Sequence, residues 1–338
     1  MKETEKFNQY YDNGQLAFEG EKIDGKIEGL LKSYYETGEL LGQFTYKDNI
    51  LTTGLKYHKN GELSETLKFK NGKQDGEGRK FYEDGTLAEI ASWKEGKKDG
   101  KYQYYNKNGS IASEGFFQFD KQNGLWYYFD ENGNLTAEIN WKDDKQNGIA
   151  KNYDENGNLT DEINWKDDKQ NGISKEYDEN GNLTIETNWK DDKLNGICKL
   201  YFENGQLKQE GVYVNEVKQG FHKEYYENGN LHKEFNFQDG LEEGLCKTYY
   251  EDGNLELEQN FKKGLLHGLC KSFMPAYYEK NSNIPPGEAW YKEGKIDRDK
   301  HRVFDEVDPR LLDFFEGKYQ DEYGNIDWDS FNDDKKGE

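Results

Sequence analysis

The residues of this chain best placed to do chemistry are carboxylates that recur at a fixed spacing. Glutamates stand 24 residues apart in one series, which comprises Glu138, Glu162, Glu186, Glu210, Glu234 and Glu258. Aspartates accompany the series at constant offsets: Asp130, Asp154 and Asp178, and the pairs Asp143, Asp144, Asp167, Asp168, Asp191 and Asp192. Evenly spaced carboxylates build a negative potential that attracts cationic surfaces. Together with the formal net charge of -22, they predict a basic protein partner and argue against direct binding of nucleic acid.

The sequence has none of the motifs that would turn these carboxylates into an enzyme site. Gly76-Glu77-Gly78 lacks the third glycine and the following helix of a dinucleotide loop, and neither a Walker sequence nor His-Glu-x-x-His occurs. The segment Asp154–Gly157 resembles the beginning of a calcium loop but has no carboxylate at the twelfth position of that loop. We therefore predict a protein that is not an enzyme and has no cofactor and no metal.

The carboxylates belong to an internal repeat that is marked by glycine. The repeat glycines follow one another at a spacing of 24 residues, broken once by 23, and are Gly14, Gly38, Gly61, Gly85, Gly109, Gly133, Gly157, Gly181, Gly205, Gly229 and Gly253. The residue four before each glycine is aromatic, and Leu or Ile stands two after it. Even offsets give a period of two, so each repeat is predicted to form one β-hairpin. A second glycine nine residues before most repeat glycines predicts a second turn.

The repeat around Gly157 tests the register of this hairpin. A two-residue loop would place its apolar side chains on opposite faces. A three-residue loop with a G1 bulge pairs Tyr153 with Leu159 and Ile149 with Ile163, and it collects the apolar side chains on one face. Gly157 then needs a positive φ. The sequence thus predicts an aromatic, apolar face, with the carboxylate row on the reverse face.

One position on the predicted reverse face is occupied by Asp in the middle repeats and by aromatic residues towards both ends. The aromatic residues that we expect to be exposed there include Tyr82, Phe202, Tyr226 and Tyr250. Because aromatic residues are favoured at interface hot spots, they predict a protein-binding surface with an acidic centre. His222 and His232 are also expected to point outward, since other repeats have Ala, Ser or Cys at these positions.

The period divides the chain into two parts. Residues 1–273 are predicted to form an array of about eleven 24-residue hairpins in an elongated, single-layer antiparallel meander. Residues 274–338 are predicted to form an irregular C-terminal cap. It has a degenerate hairpin at Tyr277–Lys292, a short helix near 308–316 and an acidic tail.

Cysteine usage and hydropathy predict a cytoplasmic protein. Cys198, Cys246 and Cys270 occupy equivalent repeat positions. The nearest two are therefore separated by two strand spacings, roughly 10 Å, which is too far for a disulfide. We expect free thiols. No apolar run reaches the length of a membrane span, and no export signal is recognised.

The segments Lys223–Leu231 and Trp93–Tyr105 resemble MORN repeat variants, and residues 7–273 as a whole resemble bacterial proteins of the YwqK-type antitoxin family. The resemblance implies a single-layer antiparallel meander and, for the antitoxin members, neutralisation of a partner protein. The Tyr-x-Gly-x-Trp core of the founding MORN repeat is not matched, so phosphoinositide binding is not implied.

Two classes of function follow from these features. The first is an inhibitor that docks its acidic surface on a basic toxin or another protein that acts on nucleic acid. A phage-type inhibitor of an RNA-guided CRISPR nuclease would use the same physics. The second class is a structural scaffold that holds several partners along the array.

Overall fold

A computed structural model describes residues 3–273 and 287–297. Within these residues the chain forms 31 β-strands and no helix, which confirms the predicted all-β fold. Two compact units divide the chain, Met1–Gly181 and Asn182–Glu338. The predicted helix near 308–316, the acidic tail and most of the predicted degenerate hairpin lie outside the described residues.

In the first unit, successive strands pair antiparallel in chain order. The strands are β1 (Thr4–Tyr10), β2 (Leu16–Ile23), β3 (Lys26–Ile27), β4 (Gly29–Tyr34), β5 (Leu40–Lys47), β6 (Ile50–Tyr57), β7 (Leu63–Lys70), β8 (Lys73–Gln74), β9 (Gly76–Phe81), β10 (Leu87–Lys94), β11 (Lys97–Tyr105), β12 (Ile111–Gln118), β13 (Lys121–Phe129), β14 (Leu135–Lys142), β15 (Lys145–Tyr153), β16 (Leu159–Lys166), β17 (Lys169–Gln170) and β18 (Gly172–Tyr177). A two-residue strand such as β17 pairs with the same neighbour as the longer strand that follows it.

The second unit has the same antiparallel order. Its strands are β19 (Leu183–Lys190), β20 (Lys193–Leu194), β21 (Gly196–Tyr201), β22 (Leu207–Val214), β23 (Val217–Tyr225), β24 (Leu231–Gln238), β25 (Leu241–Glu242), β26 (Gly244–Tyr249), β27 (Leu255–Lys262), β28 (Leu265–Leu266), β29 (Gly268–Ser272), β30 (Gly287–Lys292) and β31 (Lys295–Ile296). Beyond residue 273, β30 pairs with β29 and places Ala289 opposite Cys270.

The turn at the repeat glycine has the predicted geometry. Gly157 has a φ of 83°, and its N–H donates to the carbonyl of Asp154 at 3.0 Å. The N–H of Asp154 in turn donates to the carbonyl of Asn158 at 3.0 Å. This is a three-residue turn with a G1 bulge, and it pairs Tyr153 with Leu159, so both predictions are confirmed.

The strand after this turn contains a second bulge that the sequence did not indicate. Thr160 has no partner on the opposite strand, and Ile163 lies opposite Ala150 instead of Ile149. The predicted pairing of Ile149 with Ile163 is therefore wrong. An extra residue shifts the register by one, and every side chain beyond it moves to the other face.

The second turn of each repeat does not use the glycine that was expected to form it. Asp143 and Asp144 have φ values of 53° and 66°, and Lys142 pairs with Lys145. This is a two-residue turn of type I′, which needs a positive φ at both central residues. Gly148, marked as a turn residue by its spacing, lies inside β15 with a φ of 108°, where the register of the pair β14–β15 is interrupted.

The observed register divides the side chains of each repeat between two faces. The core face carries, in the repeat at Gly157, Ala150, Ile163 and Trp165. The ladder face carries Lys151, Tyr153 and Glu162. Ile149 alternates with Ala150 and is 44% exposed, so this residue is not part of the buried surface.

In the first unit, the largest buried side chain is on the core face. Trp126 is 2% exposed, and the rings of Tyr102 and Phe117 lie 5.5 and 5.2 Å from it. Its indole N–H donates to the carbonyl of Phe116 at 3.1 Å. A Cβ on Gly115 would come within 2.4 Å of the indole, so glycine makes room for this aromatic cluster. Such ring pairs contribute about 0.5–1.5 kcal/mol each beyond the area that they bury.

His222 has the same position in the second unit, and the expectation that it points outward is wrong. It is fully buried, 4.7 Å from the ring of Phe237. Gly211 pairs with it, and a Cβ there would come within 2.0 Å of the imidazole. Burial lowers the pKa of His222. His232 is partly buried, with its ring 4.5 Å from that of Tyr226, so it does not point freely outward either.

All three cysteines are free, as predicted. Cys246 and Cys270 are buried, and they have the repeat position of Ala150. Burial raises the pKa of the Cys246 thiol to about 11, so these thiols act as small core residues.

Candidate protein-interaction surface

Lysines and glutamates alternate across the ladder face. In the first unit the Cα register joins Glu138 to Lys151, Lys151 to Glu162, and Glu162 to Lys175. In the second unit the same alternation runs through Glu186, Lys199, Glu210, Lys223, Glu234, Lys247, Glu258, Lys271 and Glu288. The Nζ atom of Lys151 lies 3.6 Å from the carboxylate of Glu162. Within each unit, therefore, a lysine separates successive glutamates of the predicted carboxylate row.

Tyrosine hydroxyls connect the ladder glutamates to the next repeat. Tyr153 donates to Glu138 at 3.2 Å, and Tyr225 donates to Glu210 at 2.9 Å. Burial, followed by the hydrogen bond that Tyr225 donates to Glu210, raises the pKa of Tyr225 to about 12. The predicted separation of aromatic and anionic faces is therefore wrong, because the bulge at Thr160 brings glutamate and tyrosine to the same face.

The aspartates of the tight turns are also balanced by lysine. Asp144 and Asp168 accept the backbone N–H groups of Gln122 and Gln146, both at 2.7 Å. These turns read Lys-Asp-Asp-Lys, so each carries two charges of each sign. The other predicted site residues of these turns are exposed, and they are Asp143, Asp167, Asp191 and Asp192.

The Asn-Gly turns of the middle repeats contain carboxylates and no basic residue. Turns 130–134, 154–158 and 178–182 each read Asp-Glu-Asn-Gly-Asn, with two negative charges and no positive one. Glu131 and Glu155 are exposed, and no salt bridge of the described residues includes them. We call the carboxylates of these turns the acidic edge, which comprises Asp130, Glu131, Asp154, Glu155, Asp178 and Glu179.

The aspartates of the acidic edge cap their own turns. Asp154 accepts the backbone N–H groups of Asn156 and Asn158 at 2.9 and 2.8 Å, and Asp130 makes the equivalent bonds. The bond from the Asn158 backbone is the main cause that lowers the pKa of Asp154. These hydrogen bonds favour the charged form of the two aspartates and lower the pKa of both Asp130 and Asp154.

The aromatic residues predicted to be exposed act as braces between repeats. The hydroxyl of Tyr82 donates to the carbonyl of Tyr105 at 2.6 Å, and that of Tyr226 donates to Tyr249 at 2.8 Å. Tyr250 makes the same contact with the carbonyl of residue 273. Phe202 has no hydroxyl to make it. All four of these aromatic side chains are partly buried, so the expectation that they are freely exposed is wrong, and their role in partner binding stays a prediction.

The sequence analysis therefore missed two sets of residues. The glutamates that stand two before the repeat glycine, including Glu131, Glu155 and Glu179, form part of the acidic edge. The lysines six before that glycine, such as Lys151 and Lys175, neutralise the ladder. Both sets have the 24-residue period, so aligning the repeats by charge would have revealed them.

The repeat unit identifies the family. Nine segments match the MORN repeat variant, and together they cover more than half of the chain: residues 27–48, 74–95, 98–118, 122–143, 146–167, 170–191, 194–215, 218–239 and 242–263. The chain belongs to the MORN repeat variant family. Two of the predicted repeat glycines, Gly14 and Gly61, lie outside the matched MORN segments, although β1–β2 and β6–β7 pair on either side of them. The total of eleven MORN repeats stays a prediction.

Solved structures that are similar to this MORN repeat protein are much longer. The crystal structure of TcdB2-TccC3-Cdc42 is 13% identical with a TM-score of 0.19, and the match covers 87% of this chain and 16% of that one. The Photorhabdus luminescens Tc holotoxin pore is 13% identical with a TM-score of 0.17, over 87% and 16% of the two chains. This chain thus spans about a sixth of the length of either match. No curated protein matches it.

Within residues 3–273 and 287–297, the MORN repeats bring together no group of three or more His, Cys, Asp or Glu side chains that could hold a metal ion. In that same part of the chain, no helix has the length and apolar character needed to cross a membrane. The absence of a metal, a cofactor and a membrane partner stays a prediction.

Proposed function

We propose that this protein is a non-enzymatic inhibitor that binds one basic partner protein through the acidic edge. The observation that carries the proposal is the uneven charge balance of the three carboxylate sets. Each ladder glutamate lies opposite a lysine in the strand register, and each tight turn contains two lysines, whereas the turns that hold Glu131 and Glu155 contain no basic residue. Of these three sets, the acidic edge is therefore the one that keeps a net negative charge in its own turns.

The spacing of the acidic edge suits a partner with an extended cationic surface. Successive Asn-Gly turns are separated by two strand spacings, roughly 10 Å, which is close to the Debye length at moderate salt. The three turns hold six carboxylates. A partner that spans them gains electrostatic steering, which raises association rates by about 10–1,000-fold and weakens with salt.

A basic surface of this length is typical of proteins that bind nucleic acid. An inhibitor that covers it would prevent the partner from reaching its substrate, as the resemblance to antitoxins implies. The partner classes that fit are a toxin that acts on nucleic acid and an RNA-guided nuclease, both of which need cationic surfaces.

The experiment compares the full chain with two triple variants that lose the same charge. One carries Glu131→Gln, Glu155→Gln and Glu179→Gln on the acidic edge. The matched control carries Asp143→Asn, Asp167→Asn and Asp191→Asn in the balanced turns, where asparagine tolerates the positive φ. Each protein is immobilised and exposed to host lysate, and bound proteins are released by salt and identified by mass spectrometry. The captured protein is then purified and its activity is titrated with each variant.

We expect the wild type and the control to retain one basic protein and to suppress its activity at stoichiometric amounts, and the acidic-edge variant to lose both properties. Equal loss by the two variants would show that net charge alone is responsible. Capture of several neutral proteins, or tight binding without suppressed activity, would contradict inhibition and favour a scaffold.

A further inference from the structure

Asn-Gly turns that differ in their first residue hold the asparagine before the glycine in different ways. Turn 226–230 reads Tyr-Glu-Asn-Gly-Asn, and turn 154–158 reads Asp-Glu-Asn-Gly-Asn. In the first of these turns, the side-chain amide of Asn228 donates to the carbonyl of Glu251 in the next repeat at 3.0 Å. Its Oδ1 accepts the N–H of Asn230 at 2.8 Å. Both the nitrogen and the oxygen of the Asn228 side-chain amide are therefore held by hydrogen bonds.

Asn156 has neither of these bonds. The N–H of Asn158, which would be its intraturn donor, is taken by the Asp154 carboxylate at 2.8 Å. Among the described residues, no hydrogen bond joins the side chain of Asn156 to the next turn, and its side chain bonds to the carboxylate of Asp154 within its own turn. Asn132 has the same arrangement beside Asp130.

The clamped arrangement recurs in other turns, so the difference follows the turn type. Asn108 donates to the carbonyl of Glu131 at 2.7 Å, and Asn204 donates to that of Glu227 at 3.1 Å. Their Oδ1 atoms accept the N–H of the residue after the glycine, both at 2.9 Å. Asn132, Asn156 and the clamped asparagines are all exposed, so solvent access does not separate the two groups.

We propose that Asn132 and Asn156 are sites of spontaneous deamidation, in preference to the clamped asparagines. The chemistry is an attack of the glycine backbone nitrogen on the asparagine Cγ. A bond from that nitrogen to Cγ forms, the bond from Cγ to Nδ2 breaks, and ammonia leaves with the proton of the glycine N–H. Water then opens the succinimide at either carbonyl to give aspartate or isoaspartate. No enzyme and no redox partner is needed.

The clamp slows this reaction because ring closure requires the side chain to turn towards the glycine nitrogen. At Asn228 two hydrogen bonds must break first, one of them to the next repeat, whereas at Asn156 only the contact with the carboxylate of Asp154 must break. A difference of one hydrogen bond corresponds to a rate difference of up to about tenfold. In both turns the glycine N–H donates to the carbonyl of the first turn residue, so the nucleophile itself is held alike.

The products would change the acidic edge. Each deamidation adds one carboxylate to a turn that already has two. Isoaspartate also inserts a methylene into the backbone of a turn whose geometry depends on the left-handed φ of the next residue. The modification is therefore expected to raise the negative charge of the edge and to loosen its turns.

The test is peptide mapping of the full chain after incubation at neutral pH in water enriched in ¹⁸O, which marks products formed during the incubation. Trypsin releases residues 152–166 and 224–233, and each peptide has a single Asn-Gly bond, at Asn156 and Asn228. Fragment spectra separate Asn132 from Asn123 in their shared peptide. Because Glu-Asn-Gly-Asn surrounds both Asn156 and Asn228, the chain unfolded in urea supplies the intrinsic rate of each.

Two single substitutions exchange the turn types. Asp154→Tyr makes turn 154–158 identical to turn 226–230, and Tyr226→Asp does the reverse. We expect Asn156 to deamidate up to about tenfold faster than Asn228 in the folded wild type, with the order reversed by the paired exchange. Far-UV circular dichroism confirms that each variant folds. Equal rates in the folded wild type, or rates that the exchange leaves unchanged in a folded variant, would overturn the proposal.

Discussion

The turns at Gly157 and Gly229 share a backbone but differ in what they hold together. Their five residues differ only at the first position, which is Asp154 in one turn and Tyr226 in the other. The glycines have φ values of 83° and 86°, and each N–H donates to the carbonyl of the first turn residue. The carboxylate of Asp154 bonds within its own turn, whereas the hydroxyl of Tyr226 reaches the carbonyl of Tyr249 in the next repeat.

This difference shows that one side chain decides whether a turn stabilises itself or its neighbour. The tyrosine turn couples successive repeats by hydrogen bonds. The aspartate turn lacks that coupling and carries two carboxylates, of which Glu155 is exposed. Stability in a repeat array depends on contacts between nearest neighbours. Repeats with a tyrosine turn therefore contribute more to stability, and repeats with an aspartate turn contribute more negative charge.

The largest loss of stability is expected from replacing the glycine that both turns need for their positive φ. Gly157→Ala and Gly229→Ala should each destabilise the flanking strands by about 1–2 kcal/mol, because alanine is strained in the left-handed region. Hydrogen exchange of the strand amides on either side of each turn measures the loss. A turn that tolerates alanine would show that the two backbones are not equivalent. Gln206, whose Oε1 atom lies 2.6 Å from a Cβ built on Gly229, can move aside because it is flexible.

Removing one brace should have a smaller effect. Tyr226→Phe deletes the hydrogen bond to the Tyr249 carbonyl and should destabilise the contact between these two repeats by about 1 kcal/mol. Hydrogen exchange should rise in β23 to β26 and stay unchanged in distant strands. Unchanged protection around Tyr249 would mean that the hydroxyl does not couple the repeats.

A brace can also be added where the chain lacks one. Phe202→Tyr places a hydroxyl at the brace position, from which it should donate to the carbonyl of Tyr225. We expect a gain of about 0.5–1 kcal/mol, measured by slower hydrogen exchange in β21 to β24. Phe202→Leu serves as the control that keeps an apolar side chain without a hydroxyl. Equal protection in the tyrosine variant and the wild type would contradict the role assigned to this position.

The smallest expected effect is a difference between the two turns in how their stability depends on pH. The folded pKa of Asp154 is lowered, so its cap contributes fully above the unfolded value of about 3.9 and is lost as pH falls through the folded value. Burial raises the pKa of Tyr226 to about 12, so its brace contributes fully below about 10 and is lost as pH rises through 12. Asp154→Tyr should therefore reduce the acid-induced fall in melting temperature, and Tyr226→Phe should reduce the alkaline one. If the melting temperature of the Asp154→Tyr variant falls with acid as much as that of the wild type, the capping role of Asp154 is contradicted.

The hairpins could be predicted from the sequence because their signals are local. Glycine spacing and a period of two were enough for the turn at Gly157 and the pair Tyr153–Leu159. The type I′ turns had a signal that was missed, since Asp24-Gly25 and Asn71-Gly72 occupy the turn position taken by Asp143-Asp144. Such dipeptides are strong hairpin indicators.

The assignment of faces could not be predicted in the same way. It depends on the bulge at Thr160, and the equivalent unpaired residues are Ala88, Lys208 and His232. Four residue types at one position leave no propensity signal, because the bulge is a property of the paired backbone. The error placed the predicted carboxylate row on the face opposite to the lysines that pair with it.

The alternation of Lys151 and Glu162 has a consequence for how such an array grows. A duplicated middle repeat would contribute one lysine and one glutamate to the ladder face, so that face keeps its neutrality at any length. The same duplication would contribute an aspartate and a glutamate to the acidic edge with no compensating cation. The number of repeats alone can therefore set the total negative charge of the acidic edge, while the strand pairing within the existing hairpins stays the same.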